Sequence, residues 1–460
     1  MSTSSNPGAT SGDVDPALIE LADKIVAQAQ AGEQVEAYVS RGQETSVRVY
    51  QGEVEQFTSA QSEGIGIRII RNGRTGFAYA GTLDPASVDE VLSEARDNVE
   101  FGTPDEWAAL ATPDGVAIQP IDLWNVALAA YGTQGKISLA QQLERLTAGA
   151  DARIRVEEAN YADGSGEVAV ATSTGIRTSG RENGCYVSVS TLADDGPETH
   201  TGFGFAVGRN PDDLDLEKAA FEAAQRATRM LGSTKPKSRR LTVVLDPFVT
   251  AQFLGVISST LNGEAVIKGR SLFANRLGET VANPIVTLID DPTNPLAYSA
   301  TDVDGEGLAA RRNVLMEDGI LKQFVHSSYS GRRAGTASTG NATRGGFKGT
   351  PGCGCLALQL QPGSRSQQDI LAGLGDAVLI QSVMGLHSGV NAVSGDFSTG
   401  ASGVMIRNGS LAEPVKEFTI ASTLQKMLLD VAEVGGDVDW LPMGAAGLTL
   451  VVDDVTMSGE

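Results

Sequence analysis

The sequence predicts an α+β fold: an N-terminal module of antiparallel sheet with helices, followed by a β-rich C-terminal module. Three observations carry this. Short runs of alternating apolar and polar residues, separated by hairpin-type turns, fill much of the first 80 residues. Segments of helical periodicity with their own N-caps interrupt those runs. Beyond residue 239 the chain is rich in glycine and in strand-forming residues, with few helical stretches.

The elements follow in order. Residues 1–12 (MSTSSNPGATSG) are polar, with neither a basic start nor an apolar core, so residues 1–14 are expected to be a disordered tail, not a signal peptide. Asp15-Pro16 supplies an N-cap and a first-turn proline, and Leu18, Leu21, Ala22 and Ile25 recur at helical spacing up to Gly32. Ser46–Tyr50 reads as a strand, Gln51-Gly52 as a turn and Val54–Thr58 as the return. Gly64–Ile70 is a further strand, and Arg71-Asn72-Gly73 turns it back along Thr75–Ala80. Asp84-Pro85 caps a second helix with Val88, Val91, Leu92 and Ala95 on its inner face. A helix is predicted over Ser138–Thr147 and strands at Arg153–Glu158, Glu167–Thr172 and Tyr186–Leu192. A longer helix follows from about Leu214 to Leu231.

The polar stretch Gly232–Ser238 contains Gly and Pro and separates a module at 15–232 from one at 239–460. In the second module Leu241–Leu245 is an apolar strand, and turns are expected at Asp304-Gly305, Asp318-Gly319 and Asn408-Gly409. Helices are expected near Val249–Leu261 and Thr419–Val434. A sandwich or a barrel-like pair of sheets accommodates this pattern.

Composition excludes several functions. The net charge of −22, with no basic stripe interleaved with aromatics, argues against nucleic acid as a partner. No apolar run approaches the ~18 residues needed to cross a bilayer. The odd, low count of three cysteines fits a reducing compartment, so a cytoplasmic location is expected. Cys353 and Cys355 flank one glycine; they lack the two-residue spacer of a redox pair and the partners of a metal clip, and small residues in a tight strand or turn are expected there. The three histidines, His200, His326 and His387, include no pair at the i, i+4 spacing that puts two imidazoles of a helix on one zinc ion. There is no phosphate-binding G-x-x-x-x-G-K-[ST] and no G-x-S-x-G elbow. Gly202-Phe203-Gly204 through Gly208 lacks dinucleotide-loop spacing.

One segment stands out. From Met384 to Gly403 glycines are packed among Ser, Asn and Asp. Glycine-rich backbone approaches another main chain closely, and an extended peptide binds by main-chain pairing. A tight multi-turn loop without a ligand accounts for the same composition equally well. The candidate substrate-binding residues are His387, Ser388, Gly389, Asn391, Ser394, Gly395, Asp396 and Ser398. His387-Ser388 as a base–nucleophile pair is disfavoured, because sequence neighbours usually point apart.

The run GLHSGVNAVSGDFSTGASGVMIRNGSLAEPVKEFTIASTLQKML resembles the C-terminal signature of the TldD/TldE (PmbA) protease family. VRVYQGEVEQFTSAQSEGIGIRIIRNGRTGFAYAGTLDPASVDEVLSEA resembles the family's opening hairpins and helix. FANRLGETVANPIVTLIDDP and DGEGLAARRNVLMEDGILKQFVHSSYSGRRAG continue the match in order, from about Glu36 to Ser458. The resemblance implies a two-subunit zinc metallopeptidase. One subunit carries a helical H-E-x-x-x-H and a further Cys ligand near its C-terminus, and the other, TldE-like, lacks them. Here the corresponding helix reads Phe253–Leu261 (FLGVISSTL) and the later segment Gly444-Ala445-Ala446-Gly447, without His, Glu or Cys. The resemblance therefore implies the metal-free subunit, with no catalytic residue and no cofactor of its own, zinc in a TldD-like partner, and an extended or unfolded peptide as substrate. Two other classes stay open: a self-sufficient Ser/Cys peptidase using His387 or Cys353, and a non-catalytic peptide-binding module acting alone.

Overall fold

The computed structural model describes residues 14–194, 196 and 198–460; the tail expected at 1–14 lies outside them except for its last residue. Helix α1 (Pro16–Val26) starts where Asp15 accepts the Ala17 N–H at 2.9 Å and buries Leu18, Ile19, Ala22 and Ile25. It ends at Val26, short of Gly32.

The N-terminal half is organised by one antiparallel sheet of six strands, in the order β3-β2-β1-β4-β5-β6. They are β1 (Gln34–Tyr50), β2 (Glu53–Arg71), β3 (Arg74–Ala80), β4 (Ile154–Thr172), β5 (Arg177–Asp194) and β6 (Thr199–Gly208). Alternation sends Val35, Ala37, Val39, Val47 and Val49 of β1 to one face. All the long helices of this half cover that face. Helices α1 and α2 (Pro85–Phe101) close one end of it, and α3 (Thr133–Ala150) and α4 (Leu216–Thr228) close the other. Gly202 and Gly204, whose spacing does not fit a dinucleotide loop, lie in β6 under α4; a Cβ there would meet the Ala223 and Ala219 carbonyl oxygens at 2.0 and 1.9 Å.

The strands are longer than the sequence predicts. Val54–Thr58 and Gly64–Ile70 belong to one strand, β2, paired with β1 from Gln34↔Ile70 to Tyr50↔Glu53. Residues 53–63 are exposed on both faces, so nothing makes their hydropathy alternate. Arg153–Glu158 and Glu167–Thr172 likewise merge into β4.

The C-terminal half contains β7 (Arg239–Leu245), α5 (Pro247–Thr260), β8 (Asp376–Met384), β9 (Asp396–Arg407), β10 (Ser410–Thr423), β11 (Val431–Val434) and β12 (Leu450–Ser458). The sheet runs β10-β9-β8-β7-β12-β11, and β10 also pairs with β12 through Thr419↔Ser458, Ile420↔Met457 and Ala421↔Thr456. That last ladder closes β7, β8, β9, β10 and β12 into a ring. Val243, Val378, Ile380, Met405, Phe418, Ile420, Val452, Val455 and Met457 join one core with Phe253, Leu254 and Ile257 of α5. The small sheet Leu288–Asp290, Asn313–Glu317, Ile320–Leu321 and Leu358–Leu360 adds Leu288, Leu315, Leu321 and Leu358 to that core. Thr419–Val434 is not one helix. Its first residues finish β10, Leu424–Leu429 makes a short helix, and Val431–Val434 is β11.

The two halves meet where β2 passes under Phe347. A Cβ on Gly66 would come within 2.3 Å of the Phe347 carbonyl oxygen, and one on Gly64 within 2.5 Å of its ring. Gly66→Val is therefore expected to lower the thermal midpoint, with about 1–3 kcal/mol lost to overpacking. In the same melt Gly255→Ala, exposed on α5 with open space at its Cβ, should gain about 0.5–1 kcal/mol.

Candidate functional site

Helix α5, with its C-cap Leu261, covers the Phe253–Leu261 stretch that the family resemblance sets against a zinc-ligand helix. Asp246 caps it by accepting the Phe248 N–H at 3.2 Å, with Pro247 in the first turn. Residues 444–447 lie against its start: a Cβ on Gly447 would sit 2.2 Å from the Pro247 carbonyl oxygen. The two segments are thus neighbours, and they present amide, hydroxyl and aliphatic groups. Gln252 Oε1 and Thr250 Oγ1 are buried without a hydrogen-bond partner.

Cys355, whose thiol meets Ser258 of α5, and Asp290 near it do not make up a ligand set there. Burial, with Asp290 adding to it, raises the Cys355 thiol well above its ordinary value. Burial pushes Asp290 up to about 6, and its oxygens are taken by the Leu356 and Ala357 N–H groups, both at 2.8 Å, and by Asn341 Nδ2 at 2.6 Å. Among the described residues no group of three or more His, Cys, Asp or Glu side chains is arranged to hold a metal ion. The residues present here do not fit zinc.

The glycine-rich segment links β8 to β9 by a one-turn helix, Leu386–Gly389, and a tight turn. Asn391 Oδ1 accepts the Val393 and Ser394 N–H groups at 2.9 and 3.1 Å, and Ser394 Oγ donates to Asp396 Oδ2 at 2.7 Å. Gly395 has φ +85°, and a Cβ on it would overlap Gln425. A Cβ on Gly389 would lie 2.0 Å from the Ser398 carbonyl oxygen. The side chains of His387, Ser388, Asn391, Ser394, Asp396 and Ser398 are exposed. Ser388 Oγ donates to the Gly385 carbonyl at 3.3 Å. Phe397–Gly403, the end of the segment, already belongs to β9.

Cys353 is buried, and its thiol donates to the Val325 carbonyl at 3.2 Å. Its histidine neighbour is His326, whose Nδ1 is 3.2 Å from Ser330 Oγ, and the Ser330 hydroxyl also interacts with the thiol. Burial raises the thiol and lowers the imidazole, leaving both neutral; an activated Cys–His pair needs the opposite.

A further polar site lies on the sheet face that the helices leave bare. Glu36 of β1 is buried and is shared by two arginines: Arg68 Nη2 at 2.6 Å and Arg344 of the C-terminal half. The Arg344 guanidinium carbon lies 4.6 Å from the centre of the Tyr38 ring. Beside this group a cavity of about 340 Å³ opens between β1, β4 and β5 and the 301–305 and 342–344 segments. No sequence motif points to it, since its charged groups are scattered along the chain.

Known proteins match this architecture from end to end. Models of the PmbA/TldA metallopeptidase match as domain 1 over residues 35–99, as central domain over 127–231 and as C-terminal domain over 238–459. The chain belongs to the PmbA/TldD metallopeptidase family. It is 26% identical to the metalloprotease PmbA of Escherichia coli O157:H7 over 406 residues, 88% of each chain. To a metalloprotease TldD homolog of Haemophilus influenzae it is 23% identical over 448 residues, 92% of each. The crystal structure of TldE from Thermococcus kodakarensis shares the fold, with a TM-score of 0.88 at 24% identity over 96% of this chain and 99% of that one. The family match also accords with the α+β architecture. Among the described residues no helix is long and apolar enough to cross a membrane.

Proposed function

We propose that this chain is the metal-free subunit of a heterodimeric TldD/TldE-type metallopeptidase of the cytoplasm. The observation that supports this reading most is the pairing of α5 with residues 444–447 inside a chain that otherwise follows the PmbA/TldD family throughout. These segments pack together yet offer no imidazole, carboxylate or thiolate. Hydrolysis then belongs to a zinc-bearing, TldD-like partner. This chain contributes one wall of the cleft, on which the exposed polar side chains of 387–398, set in place by the packing of Gly389 on Ser398 and of Gly395 on Gln425, hold an extended, unfolded peptide. Main-chain contacts tolerate many sequences and exclude folded proteins. The free cysteines suit a reducing compartment.

The test is reconstitution. The purified chain alone should not cleave an unstructured peptide, and cleavage should appear on mixing with a TldD-like chain, with metal bound in proportion to that chain. Metal-stoichiometric cleavage by this chain alone would overturn the reading. In the reconstituted complex His387→Ala and Cys353→Ala should leave the chemical step in place, since neither group is set up as a base or nucleophile.

A further inference from the structure

We propose that the cavity on the bare face of the N-terminal sheet binds a small zwitterion, a free amino acid or dipeptide, with its carboxylate on Arg344 and its ammonium on Asp302. The floor is formed by Tyr38, Val168 and Val170, and Arg181, Asp302 and Arg344 supply the charges. A volume of about 340 Å³ is at the small end for ligand sites and suits a ligand of this size.

Unmet polar groups of both signs carry the assignment. The Arg344 side chain is 2% exposed and gives one nitrogen to Glu36, while its Nε and Nη1 have no partner. Glu36 is divided between Arg68 and Arg344, so one positive charge of this trio is not neutralised. Asp302 is 5% exposed; backbone N–H groups, including that of Ile121, act on its carboxylate, but its Oδ2 has no hydrogen-bond partner. Leaving buried charged groups unbonded is expensive, and native proteins meet such groups with water or ligand. Two other carboxylates stand on the wall. Asp304 accepts the Glu306, Leu308 and Ala342 N–H groups at 2.9, 3.0 and 3.0 Å, and Glu182 is attracted to Arg209 and repelled by Asp302, so a cation between the two carboxylates is favoured by both. A simple anion would satisfy Arg344 and repel Asp302, and a simple cation would do the reverse. A zwitterion satisfies both. Burial raises the Asp302 carboxyl from its ordinary value, and an arriving ammonium restores its charge.

This site does not depend on the subunit assignment, and its test uses the full chain without a partner. Isothermal titration with L-alanyl-L-alanine should give saturable binding. The N-acetyl derivative and the C-terminal amide, each lacking one charge, should bind at least about tenfold more weakly, as expected for one charged hydrogen bond. Asp302→Asn should weaken the dipeptide by a similar factor and leave the N-acetyl derivative unchanged. Arg344→Lys should weaken the dipeptide and the N-acetyl derivative alike while preserving the contact to Glu36. Absence of saturable binding into the millimolar range, equal binding of the blocked derivatives, or an Asp302→Asn chain with unaltered affinity overturns the proposal.

Discussion

Glu36→Gln is expected to destabilise the protein by about 3–5 kcal/mol, the range seen when one member of a buried ion cluster is removed. Glu36 is 1% exposed and carries the only negative charge between Arg68 and Arg344 in this trio. Glutamine keeps an acceptor oxygen but leaves two buried guanidinium groups facing each other. The loss is a large share of the ~5–15 kcal/mol that holds a typical domain together, and denaturant titration would detect it directly. The double variant Glu36→Gln/Arg344→Met should recover part of the loss, because it removes one of the stranded cations. Acid should reproduce the effect reversibly. Burial alone would raise the Glu36 carboxyl, but Arg68 and Arg344 outweigh it and hold it below its ordinary value. The group's contribution is thus complete above the unfolded pKa of about 4.3 and is lost as the pH falls through the lower folded value. A Glu36→Gln chain as stable as the parent, with the same acid transition, would contradict this account.

The second large effect is expected from removing residues 450–460. Strand β12 pairs with β7, β10 and β11, so its loss opens the ring on both sides. It also withdraws Leu450, Val451, Val452, Val455 and Met457, all at most 2% exposed. At about 1.5–3 kcal/mol for each buried side chain, the loss is roughly 7–15 kcal/mol, comparable with the whole stability of a domain. The shortened chain should lose its near-ultraviolet circular dichroism and bind a hydrophobic dye. A soluble product with native near-ultraviolet signal would show that the open sheet is sufficient.

What the sequence disclosed follows from how local each determinant is. The starts of α1 and α2 were legible because Asp15-Pro16 and Asp84-Pro85 act within one turn. The hairpin at Asn72-Gly73 was legible because both residues take positive φ. The length of β2 was not, since its exposed half carries no alternation and is held as strand by its ladder to β1. Thr419–Val434 misled for the opposite reason. Ile420, Leu424, Met427, Leu428 and Val431 mimic a helical stripe, yet they fill one core from β10, a short helix and β11 in turn. At the candidate site the glycines of 385–403 signalled close backbone approach, which Gly389 and Gly395 make. Arg344, Asp302 and Glu36 gave no signal, because a charge buried by tertiary pairing looks in sequence like any surface charge.

The ladder between β1 and β4 has one more implication. It joins Glu36–Val49 to Ala159–Thr172 without a break, across the join between the stretches matched as domain 1 and central domain. Neither stretch owns a complete sheet: the first would end at β1 and the second at β4, each with a long bare edge. They are matched as separate domains but form one sheet and should melt as one unit, and a cut in the connecting residues 102–125 would leave two pieces still zipped together.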